Sequence, residues 1–487
     1  MVTFDGVLFP DKGRNRKLYL SFLHTESEVI KAFEDVFPYK ESSVMNEIKR
    51  RISPSFFENI RTFILEYPYT EKEWREIYNL HYGKTMYENT SPFVFRLHLL
   101  TGKINTLDDI SQDSYLGYVT IRPLPINFIS KIVLKPKKEL YNVGPDEQIY
   151  MILIDQKIHL GHKEIEISTF PFFAQDSMVT VCAHADILMI ANIMHKKYGW
   201  EEITVEKLVL GLPPIYPSGR GLPSYDGLTP DQIGSFLQTK QWYSRIKGFR
   251  KTDNAKEAEN TVLEILKYID SRIESAIPCI LSFQHHVSII CGHTMKDDVK
   301  NGYIVFDDSG YHINEYLKKT EDDKNKNLWF ATKISLERLK ERLKEKIMGE
   351  SILLLYPEFE REYFPLSSVL RCVLQIQEHI SRTYKIQKEE IDHRILIIDS
   401  KKLKKELWNK GIHEFDELSI PHYVWYIEFS KKGNPYELLG CILIDASAHK
   451  NDSKYSYISY EKNGSRLLFF KQNIPKPNNI ISVLSPC

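Results

Sequence analysis

The chain has 487 residues, which is enough for roughly two to four domains of ordinary size. Its 65 Lys and Arg balance 65 Asp and Glu, so the charge indicates no general attraction to nucleic acid or to an anionic membrane. The sequence contains no apolar run of about 18 residues and no basic leader followed by an apolar run, so we predict a cytoplasmic protein without a membrane span. None of the six cysteines belongs to a CxxC pair, which predicts free thiols in a reducing compartment.

Residues 1–110 are predicted to form a helical N-terminal region. Apolar residues recur there at three- and four-residue spacing, which is typical of amphipathic helices. The predicted helices are 26–37, 43–52, 54–65 and 71–80.

Residues 111–350 are predicted to form the central domain. Its elements, in chain order, are strands near 115–123, 129–134, 148–154 and 164–169, a helix from Cys182, a Pro- and Gly-rich loop at 211–227, helices at 229–242 and 254–276, strands near 279–283, 286–292 and 302–307, and a helix at 334–347. The helix at 229–242 opens with Thr229, Pro230 and Gln232, which predicts a capping box. Residues 318–327 carry mixed charge and are predicted to be a solvated loop.

Residues 351–487 are predicted to form an α/β accessory domain. Its predicted elements are strands at 351–356 and 394–398, a helix at 366–383, and short strands at 423–429, 438–445, 455–460 and 466–471. The whole chain is therefore predicted to be an α+β protein.

Three residues of the central domain have the chemical types, and the order along the chain, of a thiol nucleophile site. Cys182 ends a polar loop and opens an apolar helix, His286 opens a strand, and Asp307 closes the next strand. A helix N-terminus and a nearby imidazolium both favour a thiolate, and an acid can orient the histidine ring. Each residue alone also has a structural explanation: a buried thiol, a satisfied core histidine, and an Asx turn at Asp307 and Asp308.

These segments together resemble the papain-like cysteine peptidases, and within them the C39-like branch. The resemblance covers about residues 168–312 and rests on Gln175 before Cys182-Ala, on Pro278-Cys-Ile-Leu with His286-Val-Ser-Ile-Ile-Cys-Gly292, and on Ile304-Val-Phe-Asp307-Asp308-Ser-Gly310. It implies a papain-like core in which Cys182 is the nucleophile, His286 the general base and acid, and Asp307 the orienting acid.

The resemblance also implies an oxyanion donor, for which the spacing departs from the family pattern. The family places a Gln six residues before the Cys, whereas here Gln175 lies seven before and Asp176 six before. An Asp would repel a developing oxyanion, so we predict Gln175 and the Cys182 N–H as the donors. His285 is a rival to His286, but the six-residue spacing from His286 to Gly292 favours His286.

The function implied is hydrolysis of a peptide or isopeptide bond in a protein or peptide substrate. The two large flanking regions suggest a regulatory protein partner, as in an intracellular effector or defence protein held in check. The alternatives are an acyltransferase or a glutamine deamidase on the same triad, or a catalytically silent papain-fold scaffold.

No cofactor and no metal are predicted. The candidate metal clusters around His159 and His162, His184, and His293 match no metal-loop spacing. The pair Asp307 and Asp308 could hold a cation, but nothing near it in the sequence supports one.

Overall fold

The computed structural model describes residues 2–3, 9–11, 14–16, 19–34, 37–38, 42–85, 90–212, 228–240, 242–283, 286–317, 328–409, 420–448, 457–460 and 468–470. His285, most of the predicted loop at 211–227 and the charged segment 318–327 lie outside the described residues.

The protein is a mixture of helices and strands. The strands are β1 (Val2–Thr3), β2 (Phe9–Asp11), β3 (Arg14–Arg16), β4 (Tyr19–Leu23), β5 (Thr62–Tyr69), β6 (Val94–Leu100), β7 (Tyr115–Ile121), β8 (Ile129–Leu134), β9 (Gln148–Met151), β10 (Ile154–Leu160), β11 (Lys163–Thr169), β12 (Phe172–Phe173), β13 (Tyr243–Phe249), β14 (Cys279–Phe283), β15 (His286–Lys296), β16 (Val299–Phe306), β17 (Ala331–Ser335), β18 (Ile352–Glu358), β19 (Ile391–Asp399), β20 (Tyr423–Lys431), β21 (Asn434–Asp445), β22 (Tyr457–Tyr460) and β23 (Leu468–Phe470). The α-helices are α1 (Glu26–Glu34), α2 (Ser42–Arg51), α3 (Pro54–Phe57), α4 (Lys72–Leu80), α5 (Cys182–Tyr198), α6 (Val205–Gly211), α7 (Pro230–Thr239), α8 (Ala255–Glu274), α9 (Tyr311–Leu317), α10 (Leu336–Gly349), α11 (Leu366–Tyr384) and α12 (Ser400–Asn409).

The N-terminal part of the chain is built on an antiparallel sheet as well as on helices. Its strand order is β1-β4-β5-β6-β7-β8-β12. The expectation of a helical region over 1–110 is wrong for β4, β5 and β6, and the helix predicted at 54–65 is the short α3 followed by β5. The strand forms because Phe63, Ile64 and Leu65 are all buried between neighbouring strands. The prediction failed because the spacing of apolar residues in so short a run does not distinguish a helix from a strand.

A second antiparallel sheet carries the candidate site. Its order is β13-β18-β14-β15-β16-β17, and β9 pairs with the second half of β15. Strands β14, β15 and β16 follow the predicted segments closely. Helix α7 begins with the predicted capping box, in which the Thr229 N–H donates to Gln232 Oε1 over 2.9 Å and the Gln232 N–H donates to Thr229 Oγ1 over 3.3 Å.

A third sheet, with the order β19-β20-β21-β22-β23, occupies the C-terminal part and matches the short strands predicted there. The division into three domains stays a prediction, but both of its boundaries cut through a sheet. Strand β6 pairs with β7 across residue 110, and β18 lies beyond residue 350 yet pairs with β13 and β14. A continuous cluster of buried apolar side chains extends from Leu23 to Ala446.

Within the described residues, no helix combines the length and the apolar character that a membrane crossing requires. Among the cysteines that the structure describes, Cys182, Cys279 and Cys291 are free thiols, and the reducing compartment stays a prediction.

Candidate active site

Cys182 is the first residue of α5 and lies at the edge of the core. Val181 before it is extended, and the helix ends at Gly199, whose left-handed conformation (φ +69°) is typical of a helix C-terminus. The Val181 N–H donates to His184 Nδ1 over 3.2 Å. Because burial lowers the pKa of His184 to about 4, that ring is neutral and can accept this bond. His184 thus stabilises the start of the helix.

His286 and Asp307 meet across two neighbouring strands. His286 opens β15, Asp307 directly follows β16, and the two strands are antiparallel. His286 Nε2 lies 2.9 Å from Asp307 Oδ1, which is a direct hydrogen bond. The Asp307 carboxyl is itself fixed, because its Oδ2 accepts the His312 N–H over 2.6 Å and its Oδ1 accepts the Ser309 N–H over 3.0 Å.

The His286 imidazole also acts on the Cys182 thiol: the ring lowers the pKa of the thiol, and the thiol raises the pKa of the ring. With Nε2 engaged by Asp307, Nδ1 is the ring nitrogen suited to exchange a proton with the sulfur. The structure therefore brings together Cys182, His286 and Asp307 in the order in which the sequence analysis assigned them.

The charges of these three groups at neutral pH follow from their surroundings. Burial alone would lower the pKa of His286, but the charge and hydrogen bond of Asp307 outweigh it and raise that pKa to about 12. The His286 charge likewise outweighs burial at Asp307 and lowers its pKa. The resting pair is an imidazolium and a carboxylate.

The thiol differs from the sequence-based expectation, which was a favoured thiolate. Burial raises the pKa of Cys182, and the charge of Asp308 adds to this, whereas His286 lowers that pKa only in part. The net shift is upward, so the resting sulfur is a protonated thiol. Sequence position at a helix N-terminus could not reveal this, because desolvation depends on the folded surroundings.

Two further carboxyl groups lie beside the three predicted residues. Asp308 and Asp186 are completely buried, and neither carboxyl meets the geometry of a hydrogen bond with any described residue. Asp308 Oδ1 lies 3.8 Å from His286 Nε2, and Asp186 is one helical turn after Cys182 on α5. The sequence signal for Asp186 is an acid directly before the apolar run Ile187–Ala191 of the same helix.

The histidine ring is held by packing that the sequence analysis also missed. His312 contacts His286 edge to face, with ring centroids 4.4 Å apart, and stacks on Phe283 at 4.2 Å. Ser309 Oγ lies 3.2 Å from His286 Nε2. Burial lowers the pKa of His312 to about 3, so this second ring is neutral and adds no charge to the site.

The loop before Cys182 separates the roles of Asp176 and Gln175. The Asp176 carboxylate accepts the N–H groups of Val179 and Thr180 and the hydroxyl of Tyr82 over 3.0, 2.7 and 3.0 Å, so it is bound by its own loop and by Tyr82. Gln175 is half-buried, and its carbonyl accepts from Arg122 Nη1 over 3.1 Å. Whether its side-chain amide serves as an oxyanion donor stays a prediction.

One group of these side chains has the composition of a metal-ligand set. His286, Asp307 and Asp308 place one possible ligand atom each within 4.8 Å of one another. The direct hydrogen bond between His286 and Asp307 matches an acid–base pair equally well. The other candidate histidines have partners of their own: His162 binds Asp108, and His293 binds Glu274, each at 3.0 Å.

Comparisons with known proteins give little further information. No protein-family model and no curated protein matches the chain. A structural match is UfSP from C. elegans, with a TM-score of 0.26, 13% sequence identity, and coverage of 45% of this chain and 35% of that chain. Similarity this weak, over about a third of the other chain, carries no argument about fold or function. The C39-like branch stays a prediction.

Proposed function

We propose that the chain is a cysteine peptidase with a papain-like core, in which Cys182, His286 and Asp307 form the catalytic triad. The observation that carries the proposal is the 2.9 Å hydrogen bond between His286 Nε2 and Asp307 Oδ1, in a pair whose histidine ring also interacts with the Cys182 thiol. A nucleophile in contact with a base whose other nitrogen is held by an acid is the arrangement that thiol catalysis needs.

The reaction would start from the form in which the Cys182 thiolate and the His286 imidazolium coexist. The sulfur attacks the carbonyl carbon, and the imidazolium donates its proton to the leaving nitrogen, which leaves an acyl-enzyme and a neutral ring. The neutral ring then takes a proton from a water molecule as that water attacks the thioester. The thiolate leaves, and the imidazolium is restored.

The remaining residues would serve orientation and charge. Asp307 keeps Nε2 of His286 occupied and so presents Nδ1 to the sulfur. The Gln175 amide and the Cys182 N–H are the proposed oxyanion donors. The substrate class is a protein or peptide with an amide or isopeptide bond, and acyltransferase or glutamine deamidase chemistry would use the same acyl-enzyme.

An activated ester tests the acyl-enzyme without knowledge of the natural substrate. Incubated with p-nitrophenyl acetate, the protein should acquire an acetyl group on Cys182, detected by peptide mass spectrometry, and should release p-nitrophenol continuously. Cys182→Ala should abolish both signals. His286→Ala should lower turnover by at least about a hundredfold, because general acid–base catalysis is lost.

Two controls make this result specific. Cys372→Ala removes another cysteine, in helix α11, and should leave turnover unchanged. Treatment with a chelator should also leave it unchanged, and a loss of turnover would favour a metal centre at His286, Asp307 and Asp308. Ester turnover that is independent of Cys182 would contradict the peptidase proposal and favour the silent scaffold.

A further inference from the structure

The buried carboxyl of Asp308 has a place in the site that the triad does not use. It adds a second negative charge beside an imidazolium that Asp307 already neutralises. Both Asp308 oxygens are fully buried, and the nearer one lies 3.8 Å from His286 Nε2, beyond a hydrogen bond but close enough for a strong Coulomb interaction. Buried charges are ordinarily paired, so an acid placed in this way needs an explanation.

We propose that Asp308 is a positioning residue that restrains the nucleophile, because its charge holds His286 protonated and opposes ionisation of Cys182. The inference rests on the proposed function and describes how that site is regulated. The resting site would contain a neutral thiol beside an imidazolium, and neither group could begin the reaction until the thiol loses its proton.

The charges around Asp308 fit this role. His286 of β15 and the buried Arg51 of α2 attract its charge, and the backbone of Gln175 also favours its ionised form. The charges of Asp307 and of Asp186 of α5 interact with it unfavourably. Burial and the charge of Asp307 raise the pKa of Asp308 to about 6, so it is still mostly ionised at neutral pH.

Asp186 does not cancel the effect. Burial and the charge of Asp308 raise the pKa of Asp186 well above its ordinary value, so Asp186 holds a proton while Asp308 is ionised. Of these two acids, Asp308 is therefore the one whose charge acts on the thiol at neutral pH.

The test is the rate at which iodoacetamide alkylates Cys182 between about pH 5 and about pH 10, read at each cysteine by mass spectrometry. Asp308→Asn should move the midpoint of the Cys182 profile to lower pH and raise its rate at pH 7 by about three- to tenfold, since one pKa unit is about tenfold in thiolate fraction. Asp307→Asn should instead slow labelling, because His286 loses its oriented partner.

Matched controls separate the local charge from other effects. Asp108→Asn also removes one negative charge, but at an exposed position paired with His162 and Lys163, and it should leave the profile unchanged. Labelling of the buried Cys279 and Cys291 reports unfolding, and it should stay absent. If Asp308→Asn does not fold, Asp308→Ser makes the same change of charge with a smaller side chain.

Two outcomes separate a failure of the proposed role of Asp308 from a failure of the proposed peptidase function. A midpoint that Asp308→Asn leaves in place or raises, in a folded protein whose Cys182 labelling still depends on His286, overturns the inference alone. The proposed function is overturned as well if His286→Ala leaves Cys182 labelling unchanged both in the protein with Asp308 and in the Asp308→Asn variant.

Discussion

The Asp176 carboxylate binds its own loop rather than the candidate site. It accepts the backbone N–H groups of residues 179 and 180, and Tyr82 donates its hydroxyl to the same group. A sequence alignment by spacing would assign Asp176 to the oxyanion position, because it stands six residues before Cys182. Its hydrogen bonds indicate instead that it stabilises the conformation of the loop that leads to the nucleophile.

Substitution of Asp176 should therefore affect stability more than the chemistry of the thiol. Asp176→Asn replaces one accepting oxygen by a donor and leaves a buried N–H without its acceptor, so we expect a loss of about 1–3 kcal/mol in the free energy of unfolding. Denaturant unfolding measures it. Tyr82→Phe removes only one of the bonds and should cost less, about 1 kcal/mol. A larger loss for Tyr82→Phe than for Asp176→Asn would contradict this assignment.

Also at the scale of single residues, the ionisation state of the Cys182 thiol is decided by its neighbours rather than by its position at a helix N-terminus. The helix N-terminus and His286 favour the thiolate, but burial and the charge of Asp308 oppose it. The same cysteine in a more open site would be expected to ionise readily.

At the scale of elements, the turn from β16 to α9 holds the acid of the site. Asp307 begins this turn and Gly310 allows it, because Gly310 has φ +74° and a Cβ there would lie 2.7 Å from the carbonyl carbon of Leu328. Residues other than glycine rarely adopt this backbone conformation, and moving the backbone of Leu328 to make room for a Cβ would be energetically unfavourable.

Gly310→Ala should consequently disturb both stability and the site. We expect a loss of about 1–3 kcal/mol in the free energy of unfolding, together with slower His286-dependent alkylation of Cys182, because Asp307 shifts with the turn. Gly349→Ala is the matched control: it lies at the end of α10 with no atom within 4 Å of the added Cβ, and it should be neutral or slightly stabilising. Equal effects of the two substitutions would contradict the role of the turn.

At the scale of the whole molecule, the segment after residue 350 supplies part of the sheet that carries the site. Strand β18 lies between β13 and β14. Glu362 pairs with the fully buried Arg272 of α8 through two bonds of 3.0 and 2.5 Å, and the guanidinium also lies 5.2 Å from the centre of the Trp425 ring. Burial alone would lower the pKa of Arg272, but Glu362 outweighs it, so this charge needs its partner.

A chain that ends at residue 350 should therefore not fold. It loses the interior strand β18, so that β13 and β14 lose the partner that pairs with both of them, and it also loses Glu362, the partner of Arg272. Circular dichroism during heating should show no cooperative transition. Of the described strands, a chain that ends at residue 448 loses only β22 and β23, at one end of the third sheet, and it should still unfold cooperatively. Cooperative unfolding of the 1–350 chain would support the predicted domain boundary instead.

Much of the secondary structure was predictable, and the failures have a common cause. Strands β14 to β16, helix α8 and the start of α5 agree with their predicted positions because their periods, caps and turns are local signals. Strand β6 was missed although Phe95, Leu97 and Leu99 alternate with Arg96 and His98. These two polar side chains are buried because both bind Glu66 of β5, a partner that is distant in the sequence. The candidate site was predictable in its order along the chain, but Asp186, Asp308 and His312 gain their roles only through burial and contact.

The sequence by itself determined where Cys182, His286 and Asp307 stand on their elements, because helix starts, strand ends and turns depend on residues a few positions apart. Only the tertiary structure decided that β6 and β7 join across residue 110, that β18 belongs to the central sheet, and that the resting thiol is protonated. Strand pairing and desolvation depend on residues that are distant in the sequence, and the sequence alone does not show which of these residues lie close together in space.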